Sequence, residues 1–472
     1  MSPTRNSVAA LAIASIALLS TAGVAGAAHI SANSYPPPKN PTIPSTAPKG
    51  PFKTRTVCAK GCAYKTIQSA VNASKAGDTV KVKAGTYKER VIIKGKGKAF
   101  LKLIGDPKSP GKVLLEGKGS KPATQPNNGV TINGADQVTV NGFTARDYSG
   151  YGFFVVNNNG YLLTNLVAKF VGVYGIYAFN SVGGTISNST AAWNNDSGFY
   201  IGQTPVQTKP KRSYITNVIS YGNQLGYSGT NMRYVTITKS KWFNNGIGLV
   251  PNALDSEKFA PPEKNVISDN DIFWNNYNYY AGSPWKIAGT STGTNFPTGI
   301  GVLLFGGREN RVENNRSWGN YTAGGGGLQQ ALLKQVDAQE LVGNIVRNND
   351  YSNGGKNPNG RDLFYDGDGK DNCFDPTGTT NNEPTDNRTL VACGPEGYTG
   401  PNFYSGVGLA GGKSDLNALL TGNPEFATGA SWSLSIDKAK PETAEAMWIK
   451  PAQAPIPGYT MMERWTKAIG AN

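Results

Sequence analysis

The sequence predicts an all-β solenoid, a stack of parallel coils of about 22–24 residues each, and three observations carry that prediction. First, an amide recurs inside short apolar segments: "VTVNGF" at Val138, "LLTNLV" at Leu162, "TISNST" at Thr185, "YITNVI" at Tyr214, "VISDNDI" at Val266, "VENNRS" at Val312 and "LVGNIV" at Leu341. The repeated positions are Asn141, Asn165, Asn188, Asn217, Asn270, Asn315 and Asn344, with Ser240 of "ITKSKW" in the same slot, spaced 24, 23, 29, 23, 30, 45 and 29 residues apart. Second, a glycine opens an alternating strand in most repeats, as in "GFFVV" at Gly152, "GIYAF" at Gly175, "GFYIG" at Gly198, "GIGLV" at Gly246 and "GIGVLLF" at Gly299. Third, these strands are separated by turn residues and show no helical period. One turn of such a coil cannot bury its own apolar side chains, so coils must stack at about 4.8 Å. An amide repeated at one slot then meets its own kind above and below, and can hydrogen-bond along the column instead of being buried unpaired. All seven amides are therefore expected to form one interior ladder.

The elements follow in order. Residues 1–27 contain Arg5, an apolar run from Val8 to Leu19 and the small-residue sequence "AGA" at Ala25–Ala27, the pattern of a secretory signal peptide. The run is too short to span a membrane, and no later segment reaches that length, so an exported, soluble, monomeric protein is expected. Residues 28–56 are proline-rich, as in "PPPKNPTIPSTAPKGP", and read as a semi-extended tether. "CAYKTIQSAVNASKAGDTVKVKAGTYKERVIIKGK" predicts an amphipathic helix from about Thr66 to Ser74, then strands at Val80–Val82 and Val91–Ile93. A helix there covers the first coil, whose edge would otherwise invite pairing with another chain. The coils occupy 57–350. Residues 351–472 form a C-terminal extension with short helical stretches near Glu442–Ile449 and Met461–Ile469. Four cysteines fit export as two disulfides; spacing suggests Cys58 with Cys62 and Cys373 with Cys393, although three pairings are open.

The succession "YKTIQSAV", "AGDTVKV", "GTYKERV" and then I-x-x-N-x-I-x-x-N coils resembles the secreted right-handed parallel β-helix repeat proteins of the pectate-lyase-like superfamily over about residues 58–350. The resemblance implies the right-handed parallel β-helix fold and an extracellular polysaccharide partner, but no single activity, because the superfamily holds lyases, hydrolases, esterases, epimerases and pure binders. "GTYKE" at Gly85–Glu89 matches a short pectin-esterase motif without that family's later acidic and arginine motifs, and reads as a turn of the capping coil. The polygalacturonase, pectate-lyase and alginate-epimerase motifs that carry histidine have no counterpart.

The chain has one histidine, His29, beside the expected cleavage site. That argues against Ser-His-Asp and Cys-His catalysis and against most catalytic zinc sites. What remains compatible is a histidine-free lyase, in which Lys or Arg removes the proton beside a uronate carboxylate and Ca²⁺ held by acids offsets the developing charge. Strand alternation places the residues that flank Ser240, Asn270 and Asn315 outward. Lys239, Lys241 and Arg316 are thus the candidate catalytic residues, and Asp269 and Asp271 the candidate Ca²⁺ ligands, with Asn314 completing the patch. A column of surface ion pairs is the alternative. Residues 251–264 and 277–298 leave the solenoid near the same coils, and Tyr277, Tyr279, Tyr280 and Trp285 are candidates for stacking on sugar rings. Trp193, Trp242, Trp274 and Trp318 are expected in the core. "DGDGKDNC" at Asp366–Cys373 has acids spaced as for Ca²⁺, but Lys370 stands at the third acidic slot, so a polar turn is expected.

The net charge of +15 is concentrated at one end: residues 49–121 carry 18 Lys and Arg against 4 acids. Such a block attracts acidic polysaccharide or wall polymer without implying a specific nucleic-acid site. The second functional expectation is therefore a non-catalytic surface or wall-binding protein attached through its basic N-terminal region.

Overall fold

The computed structural model describes residues 45–395, apart from 119–126, 255–256, 277–298, 321, 331–339, 352, 355–358, 366–368, 380–381, 384–389 and 391. The expected signal peptide, most of the tether and the C-terminal helical stretches lie outside the described residues. Among the described residues the strands form a 20-stranded sheet, an 11-stranded sheet and a two-stranded ribbon. Strand pairs are parallel throughout, for example Thr54–Val57 with Thr79–Val82 at the start and Leu363–Tyr365 with Asn382–Glu383 at the end. The coils thus continue past residue 350, into the region expected to be an extension. This is a parallel β-helix, and connections between its parallel strands take the right-handed sense that such crossovers adopt almost without exception.

Each coil presents three legs. The 11-stranded sheet supplies one, and the 20-stranded sheet supplies two, joined at a bend. The long strands Val138–Arg146 and Tyr161–Lys169 run through that bend. Later coils break there, as between Thr185–Ser187 and Thr190–Ala192. Inward columns fill the interior. Leu163, Ile186, Ile215, Ile237, Ile267 and Val312 stack on one leg. Phe153, Ile176, Phe199, Tyr227, Leu249 and Val302 stack on another. All of them are buried, and each large apolar side chain contributes on the order of 1.5–3 kcal/mol.

The N-terminal helix spans Ile67–Ala73. The Thr66 hydroxyl accepts from the Ser69 amide at 3.2 Å, and the Glu89 carboxylate accepts from the Ile67 and Gln68 amides at 2.8 and 2.9 Å. Glu89 of "GTYKE" therefore satisfies the free amides of the helix start. Gln68 bonds both the amide and the carbonyl of Ile92, closing part of the edge of the 11-stranded sheet. At the other helix end the Lys98 amine donates to the Val71 and Asn72 carbonyls.

The recurrent amides do not form one column. Inward asparagines make three separate ladders. Asn194, Asn223, Asn245, Asn275, Asn320 and Asn359 form the longest, in which each Oδ1 after the first accepts from the asparagine side chain of the coil before, at 3.0–3.1 Å. Asn265, Asn310, Asn344 and Asn372 form the second. Ser240, Asn270, Asn315 and Asn349 form the third, beside the bend of the 20-stranded sheet. Asn165, Asn188 and Asn217 stand one residue before this third ladder and face outward, at φ 52, 49 and 54°. The bend needs a left-handed residue there, and asparagine tolerates that region better than other residues with a Cβ. The same outward column continues through Lys239, Asp269 and Asn314 at φ 54, 56 and 59°. Asn141 lies one position further back, opposite Thr164. The single interior ladder expected from sequence is thus corrected: amides answer two demands, bonding between coils and left-handed backbone at the bend.

Of the four tryptophans expected in the core, Trp242 is interior. Trp193 and Trp318 are buried as well, in a second hydrophobic cluster where Trp318 closes an aromatic stack with Tyr221, Phe243 and Phe273, whose successive ring centroids are 5.3, 5.0 and 4.5 Å apart; Trp274 is half-buried against it. Trp193 and Trp274 pack on that stack from left-handed positions, at φ 58 and 52°.

Candidate functional site

The slot that holds Ser240, Asn270 and Asn315 inward forces its neighbours out. Register pairs Lys241 with Asp271, and Asp271 with Arg316, on three successive coils. Lys239, Lys241, Asp269, Asp271, Asn314 and Arg316 line one open depression, with Ser240 and Asn270 as its floor. All six residues expected to share a patch therefore do so.

The depression is divided electrostatically. Arg316 is committed to Asp271: its Nη2 and Nε lie 2.6 and 2.8 Å from the same Oδ1, and its guanidinium carbon lies 5.6 Å from the Trp318 ring centre. Asp269 accepts from the Ser268 hydroxyl at 2.9 Å and more distantly from Thr238 at 3.4 Å. Among the described residues, Lys239 and Lys241 make no ion pair. The donor set does not suit the expected Ca²⁺. One oxygen of Asp271 already balances a guanidinium, and no group of three or more acidic, histidine or cysteine side chains able to hold a metal occurs among the described residues.

Tyr277, Tyr279, Tyr280 and Trp285 lie outside the described residues, as do Asp366–Asp368 of "DGDGKDNC". Both expected disulfides form, Cys58–Cys62 and Cys373–Cys393. The basic block is exposed on the first coils, including Lys53, Lys60, Lys81, Lys83 and Lys88.

A second cluster lies on the outer face of the 11-stranded sheet. Phe154, Tyr177 and Tyr200 stack outward in register while Phe153, Ile176 and Phe199 point into the core. Tyr174 and Tyr151 join them, with Tyr174 4.8 Å from Tyr177 and 4.7 Å from Tyr200, and Tyr151 stacked on Tyr174 at 5.6 Å. Two carboxylates face this cluster. Glu257 Oε1 accepts from the Tyr200 hydroxyl at 2.6 Å, and burial pushes the Glu257 carboxyl up to about 7 against that bond. Asp196 accepts from the Ser197 hydroxyl at 2.7 Å, and burial raises it to about 6. Burial, reinforced by both carboxylates, holds the Tyr174 and Tyr177 hydroxyls well above their ordinary range. A pair of carboxyls that titrate near neutrality beside aromatic rings can donate or accept a proton in binding.

No protein-family model matches the chain, and no curated protein matches it. Among solved structures it is similar to the A-module of the Azotobacter vinelandii mannuronan C-5 epimerase AlgE4, at 16% identity and TM-score 0.36, over 63% of this chain and 92% of that one. It is also similar to the pectate lyase Pel9A, at 16% identity and TM-score 0.38, over 70% of this chain and 77% of that one. An alginate lyase from a Paenibacillus species gives 15% identity and TM-score 0.33, over 66% and 97%. The likeness is one of fold.

Sequence reasoning missed the tyrosine cluster, although its signal was present. "GFFVV", "GIYAF" and "GFYIG" each place two large apolar residues side by side, and an alternating strand then carries one of them on its outer face.

Proposed function

We propose that the protein binds acidic polysaccharide outside the cell, on the lateral surface of its coil, through Lys239 and Lys241. One observation carries this reading: two amines without carboxylate partners among the described residues stand on one side of an open depression built by three coils in register. A uronate polymer lying across the coils can place successive carboxylates against such amines, and the exposed basic block on the first coils adds long-range attraction. Two disulfides fit an oxidising compartment, and no helix among the described residues is long and apolar enough to cross a membrane. The test is affinity electrophoresis of the whole chain in gels containing polygalacturonate, alginate or a neutral glucan. Retardation by the acidic polymers that weakens in Lys239→Ala/Lys241→Ala and at high salt supports the reading. Equal retardation by neutral polymer refutes it.

Cleavage by β-elimination is the second reading, favoured by the placement of Lys241 next to the Arg316–Asp271 pair on the adjoining coils. In that step Lys241 takes the proton on the carbon beside the uronate carboxylate. The C4–O bond breaks, its electron pair leaves with the glycosidic oxygen, which takes a proton from water, and an unsaturated end remains. Ultraviolet absorbance growing with time, and lost in Lys241→Ala, would establish the step. Binding without absorbance leaves a non-catalytic wall-binding protein.

A further inference from the structure

From Asn165 to Asn348 the outward left-handed column at the bend of the 20-stranded sheet is asparagine on every coil except two adjoining ones, where it carries Lys239 and Asp269. The bend itself does not call for those charges. Asparagine and aspartate both tolerate the left-handed region, whereas Lys239 sits at φ 54° with a long side chain that offers no local bond in return. A residue held at such a position beside a surface opening points to what the opening receives.

Lys239 and Asp269 are immediate neighbours. The Lys239 amide donates to the Asp269 carbonyl at 3.1 Å, so the two stand one coil apart, about 4.8 Å along the axis. Both are exposed and line the same open depression, yet no ion pair joins them among the described residues. Asp269 Oδ2 accepts from the Ser268 and Thr238 hydroxyls, while Oδ1 accepts no bond among the described residues. The other carboxylate of this coil, Asp271, is neutralised by Arg316. The depression therefore offers two amines on one coil, Lys239 and Lys241, and one open carboxylate on the next.

A purely anionic chain meets this arrangement unfavourably. With one carboxylate seated on the lysines, a carboxylate on the adjoining sugar approaches Asp269, a like charge; an ammonium group in that place meets an opposite one. We propose that the depression selects an acidic polysaccharide that also carries free amino groups, with a carboxylate on Lys239 and Lys241 and an ammonium group on Asp269. This specificity presupposes that the depression binds acidic polysaccharide, and it narrows the ligand to zwitterionic chains.

The experiment is isothermal titration of the whole chain, at low salt and slightly acid pH, with two tetrasaccharides of alternating glucuronate and glucosamine. One is N-acetylated and purely anionic; the other has free amines and alternates carboxylate with ammonium. The zwitterionic form binds about twofold to fivefold more tightly, the range of one exposed ion pair. Net charge alone predicts the reverse order, because the basic block attracts the more anionic form. Asp269→Asn removes the preference, weakening the zwitterionic form and sparing or strengthening the anionic one. Asparagine already fills this slot at Asn217 and Asn314, so the variant keeps the wild-type thermal midpoint. Lys239→Ala/Lys241→Ala weakens both forms. Equal affinities in the wild type, or a preference that survives in Asp269→Asn, overturn the proposal, while lysine-dependent binding of the anionic form leaves the acidic-polysaccharide reading intact. No binding of either form, or binding indifferent to both lysines, overturns that reading and the zwitterionic specificity with it.

Discussion

Replacing Asn270 by alanine measures what an inward amide is worth. Its Oδ1 accepts from the Ser240 amide at 3.2 Å and the Trp242 indole at 3.3 Å, and its Nδ2 donates to the Ile237 and Ser268 carbonyls at 3.0 and 2.9 Å and to Asn315 Oδ1 at 2.9 Å. Asn315 keeps one partner, because the backbone amide of residue 270 also donates to it at 3.1 Å. Two donors then lose this acceptor and two carbonyls lose this donor. At about 1 kcal/mol or more for each, the cost is about 3–5 kcal/mol. Asn217, one slot away, faces solvent at φ 54° and makes one exposed side-chain bond, to Asn188 at 2.7 Å. Asn217→Ala should cost about 1–2 kcal/mol, mostly from placing alanine in the left-handed region, and Asn217→Gly less than that. Urea unfolding followed by circular dichroism reads all three as shifts in midpoint at constant slope. If Asn270→Ala costs no more than Asn217→Ala, the assignment of inner and outer amides is wrong.

Further outcomes follow from the same geometry. Glu257 and Asp196 have raised carboxyl pKa values when folded, about 7 and about 6, so the folded chain holds protons that the unfolded chain has released. Their contribution is fully present below the unfolded values near 4.5 and 3.8 and is lost as pH rises through the folded ones, roughly 3 kcal/mol each at the upper limit. Thermal midpoints should therefore fall between pH 4 and 7.5, and Glu257→Gln should flatten the slope; a slope unchanged in that variant contradicts the burial of Glu257. Arg316→Ala, which removes a half-exposed ion pair, should change stability by less than about 1 kcal/mol yet weaken retardation by polyuronate, because Asp271 is left uncompensated beside Lys241. Reducing Cys373–Cys393, which closes a segment of sequence separation 20, should cost about 3 kcal/mol, read from urea midpoints with and without reductant.

How much was legible from sequence depended on whether local pattern alone could decide the question. The period was legible because stacking forces like residues into register, and the disulfides because their partners are close in sequence. The depth of each amide was not. A segment such as "TISNST" reads the same whether its asparagine is the inward rung or the left-handed residue before it, and strand alternation turns that one-residue difference into opposite faces. At Ser240, Asn270 and Asn315 the inward choice was correct, and for that reason the lysine, aspartate and arginine neighbours were placed together on the outside. At Asn165, Asn188 and Asn217 it was not. The tyrosine and carboxylate cluster was hidden for a different reason: Glu257 reaches Tyr200 from a loop 57 residues later in sequence, and no period connects them.

The register itself is open to direct measurement by cysteine cross-linking on the outward face of the 20-stranded sheet. Thr190 and Ile219 are register partners on adjoining coils, and Val167 lies one coil further back, opposite Thr190. Stacked coils place the first pair about 4.8 Å apart, within disulfide reach, and Val167 and Ile219 about twice that far, beyond it. After mild oxidation and peptide mapping, Thr190→Cys/Ile219→Cys should be cross-linked and Val167→Cys/Ile219→Cys should not. A cross-link in the second pair, or none in the first, would contradict the stacked coil on which every outward residue, and so the proposed site, depends.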